Sequence, residues 1–172
     1  HQDRRDITQL PLVTIDGATA KDFDDAVFAQ SLGGQKGWRL VVAIADVANY
    51  VKPRSALDNE AAERTTSVYL PGHVVPMLPE AISNELCSLK PNVHRLALVC
   101  DMQVSRTGMV RTFPFYDALI RSHGRLTYEE VQAHIDNKAL LPCRDEDRAA
   151  VNKSVAALAE VHEAFRLSLI HI

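Results

Sequence analysis

The chain has 172 residues, 47% of them hydrophobic and 24% charged, which suits one medium domain with a sizeable core and excludes a disordered tail. Its net charge of −3 disfavours a free-standing nucleic-acid binder, which is usually basic, and no apolar run is long enough to span a membrane. Cys87, Cys100 and Cys143 are odd in number and form no C-x-x-C pair, so reduced buried thiols in a cytoplasmic protein are expected rather than a disulfide framework.

In chain order, residues 11–16 predict a short strand and residues 26–32 a second, with Gly33, Gly34 and Gly37 marking a hairpin turn. Residues 38–47, W-R-L-V-V-A-I-A-D-V, are nearly continuous apolar, as in a strand buried on both faces. Ser55 caps a helix through about Thr65, with Asp58 placed as in a capping box. Pro71, Pro76 and Pro79 argue against regular structure over residues 71–79, and Pro79 suits the first turn of a short helix to about Leu89. Residues 95–104 and 109–120 predict two more strands, joined at Ser105-Arg106-Thr107-Gly108. Thr127 and Glu130 form a T-x-x-E capping box for a helix through Asp136.

A last helix is expected from about Asp145 to Arg166, with Val151, Val155, Leu158, His162 and Phe165 on its buried stripe. Strands, helix, strands, helices: that order predicts the α/β class (mixed α+β), a mixed β-sheet with helical cover. Both ends read as cut. The chain opens at His1 without Met, and L-S-L-I-H-I, residues 167–172, breaks the polar helical pattern and is what one frame of a common sequencing adapter would encode. The domain is therefore expected over 1–166, with 167–172 as a foreign tail.

The densest chemistry lies in T-I-D-G-A-T-A-K-D-F-D-D-A-V, residues 14–27, which gathers Asp16, Asp22, Asp24 and Asp25 between apolar neighbours. Carboxylates crowded at the ends of buried strands persist only if protonated, paired or neutralised by cations. Alternation along an extended chain puts Asp22 and Asp24 on one side and Asp25 on the other, with Asp16 arriving from the preceding strand. Two hard divalent ions would balance the four charges and make a phosphoryl-transfer site, the ions about 3.5–4 Å apart. A calcium-binding EF-hand does not fit, because the loop glycine and the closing Glu are missing. A solvated acidic turn is the plain alternative.

That motif stands with G-W-R-L-V-V-A-I-A-D-V, T-S-V-Y-L-P-G-H-V-V-P-M-L-P-E-A-I-S-N-E-L-C-S-L and S-H-G-R-L-T-Y. Together these blocks resemble the RNB catalytic domain of the RNase II/RNase R family of exoribonucleases, nearer in wording to the RNase R branch, over residues 4 to about 165. The resemblance implies Mg2+-dependent 3'→5' hydrolysis of RNA to nucleoside 5'-monophosphates, with one or two ions and Mn2+ as a substitute. It makes Asp16, Asp22, Asp24 and Asp25 the metal ligands, Asp16 and Asp25 the firmest, and Asp24 with Asp22 catalytic, Asp24 being the least replaceable. Tyr69 in V-Y-L-P and Tyr128 in L-T-Y match family tyrosines that pack on RNA bases, a sequence-tolerant grip on a single-stranded 3' end.

The resemblance further implies a cytoplasmic enzyme, monomeric at full length, of which this chain is about half a catalytic domain and inactive alone. The alternative within the fold is a non-catalytic RNA-binding or scaffold member. A phosphatase or DNA nuclease with convergent carboxylates is disfavoured by the Y-L-P and L-C-S-L blocks. Asp46 is expected to hydrogen-bond at a strand end, Lys21 to act as a counter-charge and Cys87 to be a buried small hydrophobe. Glu85 is given no role, and His73, His94, His123, His134 and His162 lack metal-ligand spacing.

Overall fold

Apolar residues that alternate along a strand need two different partners, one for each face, and the chain supplies them as a closed barrel and a covering helix. The computed structural model describes residues 3–170. The strands are β1 (Arg5–Asp6), β2 (Leu12–Asp16), β3 (Asp25–Ser31), β4 (Trp38–Ala45), β5 (Val68–Leu70), β6 (His73–Val75), β7 (His94–Val104), β8 (Val110–Thr112) and β9 (Phe115–Thr127). The helices are α1 (Ala56–Arg64), α2 (Tyr128–Asn137) and α3 (Asp145–Ile170). β3 and β4 form a hairpin in continuous register from Asp25↔Ile44 to Ser31↔Trp38. Its turn needs Gly37, whose φ is +79° and whose missing Cβ would lie 2.0 Å from the Val104 carbonyl oxygen.

β4 pairs antiparallel with β7, and β7 with β9. The other edge of β9 takes β1 and then β2 in parallel, ending at Asp16↔Thr127. Since β2 also pairs with β3 at Val13↔Val27, the circuit β2-β3-β4-β7-β9 closes on itself. Leu12, Ala26, Val41, Ala43, Ala97 and Ile120 fill its interior, and the three alanines keep so narrow a ring from overfilling.

The outer face is covered by α3. Ala157, Val161 and Ala164 pack on Trp38, Leu40 and Val104, while Val151 and Val155 pack on Val13 and Leu126. This stripe differs from the expected one: His162 is exposed, and Ser154, Ala157 and Ala164 are buried instead. A helix lying close over a sheet needs short side chains at the contact, and short side chains do not stand out as a hydrophobic period. Ser154 also accepts a hydrogen bond from the Ala29 backbone N–H at 3.2 Å.

Four local expectations are corrected. Residues 71–79 do contain a strand: Pro71-Gly72 turns the β5–β6 hairpin, with Gly72 at φ +74°, so the prolines bound the strand instead of interrupting it. The expected strand over 109–120 breaks at Phe113-Pro114, and its second part runs on to Thr127 through S-H-G-R because β2 takes over as a parallel partner where β7 ends. The short helix after Pro79 is a π-helical turn, Ala81–Leu86, closed by Cys87 N–H to the Ile82 carbonyl at 2.9 Å. At α1, Ser55 caps the Asp58 N–H, but the Asp58 carboxylate reaches back to Arg54 N–H rather than to Ser55. The box at α2 is reciprocal, with both Thr127 and Glu130 bonds present. The stretch 167–172 continues α3 through Ile170; residues 1, 2, 171 and 172 lie outside the described residues.

Candidate metal centre

The acidic loop is the connection from β2 to β3, and much of its backbone is held by partners far away in sequence. Asp16 closes β2 opposite Thr127, and Asp25 opens β3 opposite Ile44. Between them, the Arg125 guanidinium donates to the carbonyls of Gly17 (3.0 Å) and Ala18 (2.8 Å). Phe23 is buried in the barrel core, with Arg125 stacked 5.5 Å above its ring. Its N–H donates to Ser88 Oγ at 3.1 Å, and its carbonyl accepts from Leu89 N–H at 2.8 Å. Ser88 Oγ donates in turn to the Lys21 carbonyl at 3.0 Å. The Asp24 carbonyl accepts from Ala45 N–H at 2.8 Å. With Phe23 pinned inward, alternation turns Asp22 and Asp24 outward together.

The electrostatics carry the signature of a crowded anionic site. Burial raises the Asp16 carboxyl above the ordinary carboxylate range, and the charges of Asp25 and Asp22 add to it, with Arg125 opposing. Asp24 is raised by protein packed around its carboxyl, then by Asp22, Asp25 and Asp16. The four are therefore near enough to feel one another. Asp16 Oδ2 is buried without a hydrogen-bond partner. Among the described residues, however, no three His, Cys, Asp or Glu side chains converge on a common point, so the carboxylates form a loose group rather than a closed cage.

The donor set fits a hard cation: oxygen only, one oxygen orphaned in the protein, and two groups destabilised in their charged form.

The tyrosines divide. Tyr128 begins α2 directly after Asp16's strand partner Thr127 and is exposed, which places it beside the acidic loop. Tyr69 sits on the β5–β6 hairpin, 69% exposed, and among the described residues no hydrogen bond links it to the aspartates. That hairpin is tied instead to α1, through Arg64 to the Pro76 carbonyl at 2.9 Å. Lys21 faces a cleft of about 540 Å3 with Phe23, Glu80, Asn84, Glu85 and Lys90. Glu85 pairs there with Lys90 at 2.6 Å.

Asp46 accepts from Arg4 and from Asn49 N–H, a strand-end role. Cys87 is buried and free. His123 and His134 are buried, each ring bonded to a backbone carbonyl, of Thr8 and Ala139 respectively. Sequence reasoning did not single out Ser88 or Arg125; the available signal was a serine between apolar residues in L-C-S-L and an arginine interrupting a buried strand.

Residues 4–168 match the family model described as "RNB domain". The chain is 49% identical over 164 residues to Ribonuclease R of Vibrio parahaemolyticus, covering 95% of this chain and 19% of that protein. It superposes on Mycoplasma genitalium RNase R in complex with double-stranded RNA with a TM-score of 0.88 and 41% identity, over 95% of this chain and 28% of that one. A more distant likeness, with a TM-score of 0.74 and 17% identity, is to yeast Ssd1, a pseudonuclease; it covers 94% of this chain and 19% of that one and reflects the fold alone. The chain thus spans about a fifth of the curated relative's length.

Proposed function

The chain belongs to the RNB-domain family, and we propose that it carries the metal-ligating part of a 3'→5' exoribonuclease site that releases nucleoside 5'-monophosphates. The observation that carries the reading is the group of four neighbouring aspartates, two of them, Asp16 and Asp24, raised by burial and by the others' charges, with an unpartnered buried oxygen on Asp16. A pseudonuclease can share the fold, so the fold does not imply catalysis. The aspartates are what favour the catalytic reading.

Asp16, Asp22, Asp24 and Asp25 would hold Mg2+, or Mn2+ in its place. When bound, the ion or ions supply activation of water and neutralisation of charge on the leaving oxygen. The chain's own work is to aim the carboxylates outward from the barrel rim, with Phe23 as the inward anchor. Tyr128, beside the loop, and Tyr69, on the β5–β6 hairpin, stack on RNA bases near the scissile bond. Arg125 steadies the loop backbone through carbonyls and leaves the carboxylates to the cation. The whole protein is taken as a cytoplasmic monomer acting on single-stranded 3' ends, and the isolated chain as poorly active.

A chimera tests this. Residues 4–168 replace the matching stretch of the Vibrio parahaemolyticus relative, and digestion of an RNA with a 3' overhang is followed with and without Asp24→Asn. The chimera should release 5'-mononucleotides, and Asp24→Asn should cut the rate by about a hundredfold or more while RNA binding persists. Undiminished hydrolysis by Asp24→Asn would overturn the assignment.

A further inference from the structure

We propose that Ser88 is a positioning residue for the acidic loop, its buried hydroxyl fixing the backbone on both sides of Asp22 so that Asp22 and Asp24 present their carboxylates to a divalent cation. The proposal rests on the metal-binding reading above.

A serine hydroxyl has one proton to give and lone pairs to receive. Ser88 is wholly buried, and it directs both capacities at the loop: the proton to the Lys21 carbonyl at 3.0 Å, a lone pair to the Phe23 N–H at 3.1 Å. Leu89 N–H adds a third bond, to the Phe23 carbonyl. Asp22 is the residue between two peptide groups held by one oxygen atom. Its neighbour Phe23 is anchored in the core, so the carbonyl–hydroxyl–amide bridge and the buried ring together fix where Asp22 and Asp24 can point.

The clamp opposes a real force. Asp22, Asp25 and Asp16 each act on Asp24, and like charges on a free loop would spread it. Removing the hydroxyl leaves the Phe23 N–H and the Lys21 carbonyl without their protein partner, and the loop gains by turning them toward water. Outer groups that orient metal ligands typically govern affinity by about 10–100-fold.

Ser154 offers a matched control. It too is a buried serine whose oxygen accepts a β3 backbone N–H, that of Ala29, but beneath α3 and beyond the acidic end of the strand.

The test is Mn2+ binding to the 172-residue chain, read from the electron paramagnetic resonance of the free ion, alongside amide hydrogen exchange at Phe23 and thermal melting. Ser88→Ala should raise the Mn2+ dissociation constant about tenfold and speed Phe23 exchange. Ser88→Thr, which keeps the hydroxyl, should recover most of both losses. Ser154→Ala should lower Tm to a similar degree and leave the dissociation constant unchanged.

If Ser88→Ala is too unstable to purify, Ser88→Cys, with its weaker hydrogen bonds, must show the same direction of loss. A Ser88→Ala chain that melts earlier yet binds Mn2+ as the parent does makes Ser88 merely structural and overturns the proposal. Absence of saturable Mn2+ binding in the parent, or binding indifferent to Asp24→Asn, overturns the metal reading and the proposal together. Phe23 exchange then still reports the clamp, so the two failures are told apart.

Discussion

Two groups of aspartates in this molecule have opposite fates. Asp101 sits on β7, where Arg39 of the adjacent β4 grips it through two nitrogens at 2.9 and 2.6 Å and Tyr116 donates at 3.1 Å. Asp147, in the first turn of α3, receives His123 at 2.9 Å and Arg144 at 3.0 Å. Both end below the ordinary carboxylate range: Asp101 chiefly through the Arg39 hydrogen bonds, Asp147 because its His123 and Arg144 bonds outweigh the upward push of burial. Asp16 and Asp24 end above it. Arg125 lies against the acidic loop, but its hydrogen bonds there go to carbonyls. Structural carboxylates are matched within the fold, whereas the loop's charge is left for something else to satisfy.

The largest effect expected from breaking this contrast is at Asp147. Asp147→Ala leaves the buried His123 ring without its carboxylate partner, and should cost about 3 kcal/mol in urea unfolding. Asp101→Asn removes a pair whose arginine is partly exposed and should cost about 1 kcal/mol. Addition of Mg2+ at roughly ten to a hundred times its dissociation constant should stabilise the parent chain by about 1.4–2.7 kcal/mol, and a chelator should reverse this. Asp24→Asn should be the smallest change and of opposite sign to the first two. Without divalent ions it should raise Tm by roughly 1–2 °C, since a like charge has gone.

The pH dependence sharpens the same contrast. Asp101 and Asp147 have lowered folded pKa values, so their stabilisation is present above the ordinary carboxylate pKa and lost as pH falls through the lowered values. Asp16 and Asp24 are raised. Their contribution is present below the ordinary pKa and lost as pH rises through the raised values. In metal-free buffer the Tm advantage of Asp24→Asn over the parent should therefore be absent in acid and open as pH climbs toward neutral. A gap independent of pH would break the account.

Much of this was legible in the sequence, for local reasons. The continuous apolar run of β4, the Thr127–Glu130 box and the glycine-rich turn before Trp38 each declare themselves within a few residues. The acidic loop did so through chemistry, four carboxylates in an apolar frame. What stayed hidden was set at a distance. S-H-G-R reads as polar coil, yet parallel pairing with β2 from Ser122 onward makes it strand. Ala157 and Ala164 belong to the core because a sheet lies against them, and nothing in α3 itself marks them. Ser88 and Arg125 were invisible for the same reason: their partners in the loop are far away along the chain.

Those separations set an order of assembly. The β3–β4 hairpin needs only neighbours, so it is available as soon as it is synthesised. Ser88 must cross 65 positions to reach Phe23, and Arg125 must cross 108 to reach Gly17. A ribosome delivering this chain exposes the aspartates long before either support emerges. For that interval the loop is an ordinary flexible anion, and it acquires its shape only when β9 slides in beside β2. Closure of the ring is thus a timing device as well as an architecture, withholding a shaped acidic loop until β9 has been made.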